Sequence, residues 1–263
     1  MALLAPVASA ADEVAVKFGA SLIRDDHERL FLPVHFTIAP GWHLYWSNPG
    51  DGGMPPSVSL RLPAGWTAGA VHFPRPTVQR DENGTSYVYE KELILLVPLE
   101  PPKPASDTER TLPASLEVTG RISWLVCKSA CIAGKAAPHG VVQVPTAPGN
   151  SPLGTAFPVA ISASAATLES REGGARLNIS VVPPASGDVQ FIPETCPGVD
   201  FGATGPFPLV QDGSHFELAL DLAITPADAP DRKPRVRGLV LFGNARSEPS
   251  YFIDLSVPVA PGG

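Results

Sequence analysis

Two cysteines, Cys127 and Cys131, stand close together in the segment WLVCKSACIAGK, immediately after an apolar run. The pair lies where this run leads into a loop or a short helical turn. On a helical turn, residues four positions apart share one face, their Cα atoms lie roughly 6 Å apart, and a disulfide can form. A bridge that closes so short a loop removes little entropy from the unfolded chain, and this favours a reversible bridge over a structural one. The pair alone is as compatible with a structural disulfide, or with two buried thiols, as with thiol–disulfide exchange.

Exchange requires a thiolate, because only the deprotonated sulfur attacks a disulfide. Lys128 lies between the two cysteines, and Lys135 follows closely. A neighbouring cation lowers the pKa of a thiol, as does a helix N-terminus if one begins here. The spacing does not identify which cysteine is the exposed nucleophile. The third cysteine, Cys196, is remote in sequence and receives no catalytic role.

The segments that must position the pair are predicted to be strands. The chain contains 31 prolines and 24 glycines, which break long helices and favour short strands joined by turns. Residues 57–62 alternate cleanly between polar and apolar side chains, as a half-buried strand does. Further strand-like runs occupy residues 13–22, 29–38, 87–99, 115–126 and 140–144, and others follow from residue 175. The sequence therefore predicts an all-β protein.

The organisation predicted is two immunoglobulin-like β-sandwich domains joined by a linker. Residues 11–146 form the first domain, which carries the cysteine pair, and residues 167–258 form the second. The intervening residues 147–166 begin with linker composition, and the alanine-rich segment 157–168 is compatible with one short helix. Residues 1–10 are typical of the end of a signal peptide, which predicts export.

Composition excludes several functions. The net charge is −7 and basic residues form no block, which argues against binding to nucleic acid or to anionic membranes. No apolar stretch approaches the ~18 residues that a membrane-spanning helix needs. No phosphate-binding loop, catalytic triad order or paired zinc spacing is present, so we expect no cofactor and no resident metal.

Three stretches, taken together, resemble a known family. They are GWHLYWSNPGDGG at 41–53, YVYE at 87–90 with the apolar run to Pro98, and ISWLVC at 122–127 with Cys131. They resemble the periplasmic N-terminal domain of the DsbD/ScsB family of transmembrane thiol–disulfide reductases, and their order and spacing match the ScsB-like branch better. The resemblance implies an immunoglobulin-like domain with Cys127 and Cys131 as the redox pair at one end of the sandwich.

The resemblance also implies a place in an electron-transfer chain. The domain would accept electrons from a membrane-embedded redox domain of the same full-length protein. It would pass them to periplasmic partners, which are thioredoxin-fold proteins or peroxidases. The location implied is the periplasm, with the full-length protein anchored in the inner membrane. Copper tolerance is linked to the ScsB-like branch.

Five further residues are supporting candidates through the resemblance, and Lys128 is the sixth. Trp42 and Tyr45 would form a wall of the cysteine site, although core or edge packing is the simpler interpretation. His43 is interpreted as a solvated or hydrogen-bonded residue unless it acts catalytically or as a ligand. Asp81 and Glu82 lie where relatives carry a shielding loop and would relay protons there, but an ordinary Asn-Gly hairpin turn with solvated acids is the favoured interpretation.

Two alternative functions remain open on the sequence. Two thiolates suit Cu(I), with Cys196 or His43 as an extra ligand, although only two methionines and six histidines are present. Incidental Cu(I) binding by a redox pair is also expected. The other alternative is a non-catalytic β-sandwich that binds other molecules and contains a structural disulfide.

Overall fold

The structure is a computed structural model, which describes residues 13–82, 84–103, 112–148, 157–160, 166–171, 174–179, 188–212, 215–220, 222–224, 234–243 and 245–257. The chain divides into two compact units. The first comprises Met1–Pro49, Gly53–Pro74 and Val88–Gly154, and the second comprises Gly50–Gly52, Arg75–Tyr87 and Thr155–Gly263. The signal peptide predicted at 1–10 lies outside the described residues.

Strands dominate the first half of the sequence. In chain order they are β1 (Val14–Phe18), β2 (Ile23–Arg24), β3 (Leu30–Ile38), β4 (His43–Gly50), β5 (Ser57–Arg61), β6 (Thr67–Ala68), β7 (Thr77–Asp81), β8 (Gly84–Glu90), β9 (Glu92–Glu100), β10 (Ser115–Cys127), β11 (Cys131–Ala136) and β12 (His139–Gln143). One sheet of the first unit has the order β1-β3-β9-β6, with β2 beside β3. The other has the order β11-β10-β4-β8, and β5 and β12 also pair with β10.

Strand β10 is the centre of the second sheet. Its 13 residues pair with β11 and β12 along one edge and with β4 and β5 along the other. Its even-numbered residues, from Leu116 to Val126, are buried, as expected for a strand with one face on a core. Trp124 on this face meets Phe36 of the opposite sheet edge-to-face, with ring centroids 6.1 Å apart. The two sheets therefore pack face to face around an apolar core, which confirms the predicted immunoglobulin-like sandwich.

The second unit is also built from strands. They are β13 (Val159–Ala160), β14 (Ala166–Arg171), β15 (Gly174–Ile179), β16 (Val189–Pro193), β17 (Val199–Asp200), β18 (Phe207–Pro208), β19 (Val210–Asp212), β20 (His215–Leu220), β21 (Ala223–Ile224), β22 (Arg235–Phe242) and β23 (Ser250–Ser256). Its sheets have the orders β13-β23-β22-β16-β18 and β14-β15-β20-β19, with a small β17-β21 pair. They share a core of buried apolar side chains that includes Phe191, Leu177 and Val240.

The prediction of a short helix at 157–168, which rested on alanine content, is wrong for the residues described there. Val159–Ala160 forms a strand parallel to β23, and Ala166 begins a strand paired with β15. Ala166 is buried in the core of the second unit, so tertiary burial overrides the weak helical preference of alanine. The predicted domain limits at 146 and 167 stay predictions, since 149–156 and 161–165 are not described. Within the described residues, no helix has the length and apolar character to span a membrane.

Candidate functional site

Cys127 and Cys131 face each other across a tight β-hairpin. Cys127 is the last residue of β10 and Cys131 the first of β11, and the two are register partners. Their sulfurs form a disulfide, with the Cα atoms 4.1 Å apart. The Lys128 N–H donates to the Ala130 carbonyl over 3.1 Å and closes the turn between them.

The sequence left a loop or a short helical turn open after Cys127, and the structure has the loop, in which residues 128–130 join two antiparallel strands. Directly opposed residues of such strands approach more closely than residues one helical turn apart, which explains the short separation between the Cα atoms. No helix begins at the pair, so no helix N-terminus acts on either sulfur.

The two sulfurs differ in exposure. The even-numbered residues of β10 point into the core, so Cys127 lies on the opposite, outer face of the sheet. A residue on an outer face is normally exposed, but Cys127 retains only 2% of its accessible surface. Cys131 is exposed. The disulfide thus joins a buried residue to an exposed one.

Cys127 is buried in a small apolar cluster on the outer face. Tyr45 of β4 and Val88 of β8 are the other buried members, and Leu125 packs against them. Because side chains alternate along a strand, Leu125 lies on the same face as Cys127. Tyr45 is 5% exposed, although it also belongs to the face that points away from the core. The packing of Tyr45 on Cys127 thus helps to bury the Cys127 side chain.

His43 lies beside the pair. It is the register partner of Cys127 on the neighbouring strand, which places His43, Cys127 and Cys131 in one row across β4, β10 and β11. His43 Nε2 and the Tyr45 hydroxyl are 3.1 Å apart, and the two rings meet edge-to-face. This contact fixes the orientation of Tyr45 over the cluster. The structure therefore brings two of the predicted supporting residues to the cysteine pair.

The glycine-rich loop after β4 packs on Tyr45. Gly53 has a positive φ of 101°, and a Cβ at this position would overlap the Tyr45 ring. Only glycine permits both this backbone conformation and so close an approach. The loop thus forms part of the cover over the ring that shelters Cys127.

Lys128 occupies the hairpin turn and is exposed. Its side chain runs alongside Gly41, where a Cβ would lie 3.2 Å from the Lys128 Cε and 3.3 Å from its Nζ. Gly41 has a positive φ of 81° and ends the turn that leads into β4. The ammonium is thus held against the loop before β4, which is also the loop of Trp42.

The remaining candidates are less closely tied to the pair. Trp42 is half-buried, and its backbone N–H donates to the Ala39 carbonyl. Asp81 and Glu82 are exposed at the end of β7, within the segment Arg75–Tyr87 that groups with the second unit. Their role as proton relays stays a prediction.

Cys196 lies in the second unit and is buried. Its Sγ donates to the Glu194 carbonyl at 3.2 Å and accepts the Arg237 N–H at 3.2 Å. Burial is the main cause that raises the pKa of the Cys196 thiol. Among the residues with described positions, no group of three His, Cys, Asp or Glu side chains is arranged to hold a metal ion. The copper hypothesis stays a prediction.

Sequence reasoning did not identify the cover of Cys127. Leu125 and Val88 were named only within the motifs that carry the resemblance. The resemblance placed the turn that contains Gly53 beside the cysteines, but no contact between Gly53 and Tyr45 was predicted. The alternation of β10 was a usable signal, since it places Cys127 on the outer face together with Leu125. The identity of the covering residues from β4, β8 and the loop depends on strand pairing between distant segments, which the local sequence does not encode.

Fold and site together define an immunoglobulin-like β-sandwich that carries a hairpin disulfide with one accessible sulfur. The family model described as thiol:disulfide interchange protein DsbD, N-terminal, matches residues 9–139, which include both cysteines. This part of the chain belongs to that family of DsbD/ScsB-like N-terminal domains, as the sequence predicted, and it is a thiol:disulfide interchange domain.

One solved structure supports the fold. The chain resembles the N-terminal periplasmic domain of ScsB from Proteus mirabilis, with 17% identity, coverage of 96% of each chain and a TM-score of 0.58. The periplasmic chaperone SfaE covers 93% of the chain at 8% identity, with a TM-score of only 0.21. A search of curated proteins gives no significant match.

Proposed function

We propose that this chain is a periplasmic electron-relay domain. It accepts electrons from a membrane-embedded redox domain and reduces periplasmic thioredoxin-fold or peroxidase partners through the Cys127–Cys131 disulfide. The observation that carries the proposal is a disulfide between an exposed cysteine, Cys131, and a buried one, Cys127. Family membership supports the chemistry, and the fold shared with a periplasmic domain supports the location.

Reduction of the domain begins at the exposed sulfur. A donor thiolate attacks Sγ of Cys131, a new S–S bond forms, and the bond to Cys127 breaks. Cys127 leaves as a thiolate and takes up a proton. The second donor thiolate then attacks the donor's own sulfur in the mixed disulfide and releases Cys131 as a thiolate. Two electrons have entered the domain, and the donor has become a disulfide.

Delivery of the electrons uses the same sulfurs in the reverse order. The Cys131 thiolate attacks one sulfur of an acceptor disulfide, and the acceptor's other sulfur leaves as a thiolate. Cys127 then loses its proton and attacks Cys131 in the mixed disulfide, which restores the bridge and releases the reduced acceptor. This second attack is intramolecular because both cysteines belong to one chain. Their Cα atoms are 4.1 Å apart, so we expect the attack to be fast.

The cluster around Cys127 supports this division of roles. Because Tyr45, Val88 and Leu125 surround the buried sulfur, Cys131 is the partner that reaches it most readily. A foreign disulfide must first displace the cover. Cys127 is therefore assigned as the resolving cysteine and Cys131 as the one that forms mixed disulfides.

Single serine variants test the assignment. Oxidised glutathione is added to reduced Cys127→Ser and Cys131→Ser domains, and mixed-disulfide formation is followed by intact mass. We expect the Cys127→Ser variant, which retains the exposed thiol, to react at least about tenfold faster, because access limits exchange. Equal rates, or a faster Cys131→Ser variant, would refute the division of roles. If strong dithiol reductant leaves the wild-type bridge intact, the redox proposal itself fails.

A further inference from the structure

An open groove lies on the outer face of the sheet that carries the cysteine pair. Its volume is about 500 Å³, and its polar lining consists of Ser57, Ser59, Arg121, Ser123 and Lys135. The register places Ser57 opposite Ser123, and Ser123 opposite Lys135, so one row of polar side chains crosses β5, β10 and β11. All belong to the first unit.

The groove shares a face with the disulfide. Arg121 and Ser123 alternate in phase with Cys127 along β10, and Lys135 alternates in phase with Cys131 along β11. Lys135 is four residues from Cys131, which corresponds to about 13 Å at 3.3 Å per residue. A standard protein interface covers about 800 Å² on each partner, which is a disc of about 16 Å radius. A protein whose cysteine reaches Cys131 therefore also covers the groove.

The charge of this face is opposite to that of the chain. The net charge is −7, yet Arg61, Arg121 and Lys135 are exposed on this face, and Lys128 is exposed in the hairpin turn at its end. Among the described residues, none of these four side chains takes part in an ion pair. Two acids lie on this face. Glu117 of β10, beyond Thr119, is bound to His139 at 3.0 Å, and Glu90 of β8 is exposed two residues after Val88.

We propose that this groove docks an acidic segment of the exchange partner, which lies about 13 Å from the partner's reactive cysteine. The proposal rests on the proposed function and deepens it. Arg121 and Lys135 supply charged donors, and the three serine hydroxyls supply neutral ones, a set that matches carboxylates. Complementary charge raises the encounter rate and fixes the register of docking, so the groove would select partners before any bond forms.

Peptide probes test the proposal without an identified partner. Each peptide carries one cysteine as a mixed disulfide with an aromatic thiol, and the reduced domain releases that thiol when Cys131 attacks the peptide sulfur. One peptide has aspartates at the fourth and fifth positions from the cysteine, where an extended chain reaches the groove. A second has serines and a third has lysines at those positions.

We expect the acidic peptide to react about tenfold to a hundredfold faster than the serine peptide at low salt, and the lysine peptide to react more slowly. High salt should remove the difference. The ratio of acidic to serine rates should fall to about one in Arg121→Glu/Lys135→Glu. It should persist in Lys17→Glu/Lys103→Glu, which has the same net charge but changes exposed lysines away from the groove.

The outcomes separate the two proposals. If none of the three peptides reacts, the proposed function fails. If they react and the acidic peptide is no faster than the serine peptide, or if the control variant loses the advantage equally, the docking proposal is overturned. Binding to phosphatidylglycerol vesicles through Arg121 and Lys135, without any acidic-peptide advantage, would assign the face to a lipid surface and also overturn it.

Discussion

Replacing Arg75 should weaken the second unit far more than replacing any exposed arginine. Arg75 is 1% exposed and opens the segment Arg75–Tyr87, which groups with the second unit. Its guanidinium donates to four carbonyls in and beside the loop between β22 and β23. These are Phe242 at 3.0 Å, Glu248 at 3.2 Å and Pro249 at 2.7 Å from Nη1, and Gly243 at 2.6 Å from Nη2.

The magnitude follows from these contacts. Arg75→Met keeps much of the buried stem but leaves four carbonyls without their charged donor. A hydrogen bond to a charged group contributes about 1.5–3 kcal/mol, but the bonds are not additive and burial of the guanidinium offsets part of the sum. Burial also lowers the pKa of Arg75, in accordance with that cost. Removing one partner of a buried charged network costs about 3–5 kcal/mol, which we expect here.

Hydrogen exchange measured by mass spectrometry is the suitable assay, because it reports locally. Amides of β22 and β23 should exchange at least about a hundredfold faster in Arg75→Met, since about 3 kcal/mol exceeds two factors of ten. In Arg75→Lys, the exchange rates of these amides should lie between those of Arg75→Met and those of the wild type. Arg235→Met is the matched control, because Arg235 is 46% exposed and its pair with Asp254 contributes at most about 1 kcal/mol. If Arg75→Met and Arg235→Met exchange alike, the reasoning is refuted.

Two further predictions concern the first unit. Gly53→Ala should destabilise it by about 1–3 kcal/mol in urea unfolding followed by tryptophan fluorescence, because the new Cβ overlaps Tyr45 and φ is positive. Gly52→Ala, which meets nothing within 4 Å, should stay within about 0.5 kcal/mol, and equal losses would contradict the steric argument. Burial, assisted by Lys17, lowers the pKa of His35, so the folded state binds fewer protons than the unfolded one. The free energy of unfolding should therefore fall as pH drops below about 6.5 and level off below the pKa of His35 in the folded state. An NMR titration that places the pKa of His35 in the folded protein at or above about 6.5 would refute this.

The strands and the cysteine pair could be predicted because their signals are local. Alternation along β5 and β10 reports a half-buried surface directly, and turn residues mark the ends of the strands. The geometry of the pair could not be predicted in the same way. Four positions separate neighbours on a helix, but they also separate partners across a tight hairpin. The long strand that precedes Cys127 decides in favour of the hairpin, since β11 completes its pairing.

The sequence could not predict which segments belong to the second unit, for a different reason. Arg75 lies in the first half of the chain, more than 160 residues from the carbonyls that it binds. Those carbonyls belong to the backbone, so no side-chain pattern marks them as partners of an arginine. The grouping of Arg75–Tyr87 with the second unit therefore has no local signature.

The cover over Cys127 connects the fold to the proposed chemistry. An exposed disulfide on an open sheet would offer both sulfurs to every thiol in the compartment. Here Tyr45 occupies the outer face, Gly53 permits the loop to close on its ring, and His43 holds its hydroxyl. Under the proposed function, this cover directs attack to Cys131, which is exposed at the end of the hairpin. Under the docking proposal, contact between the partner and the groove then sets the rate of exchange.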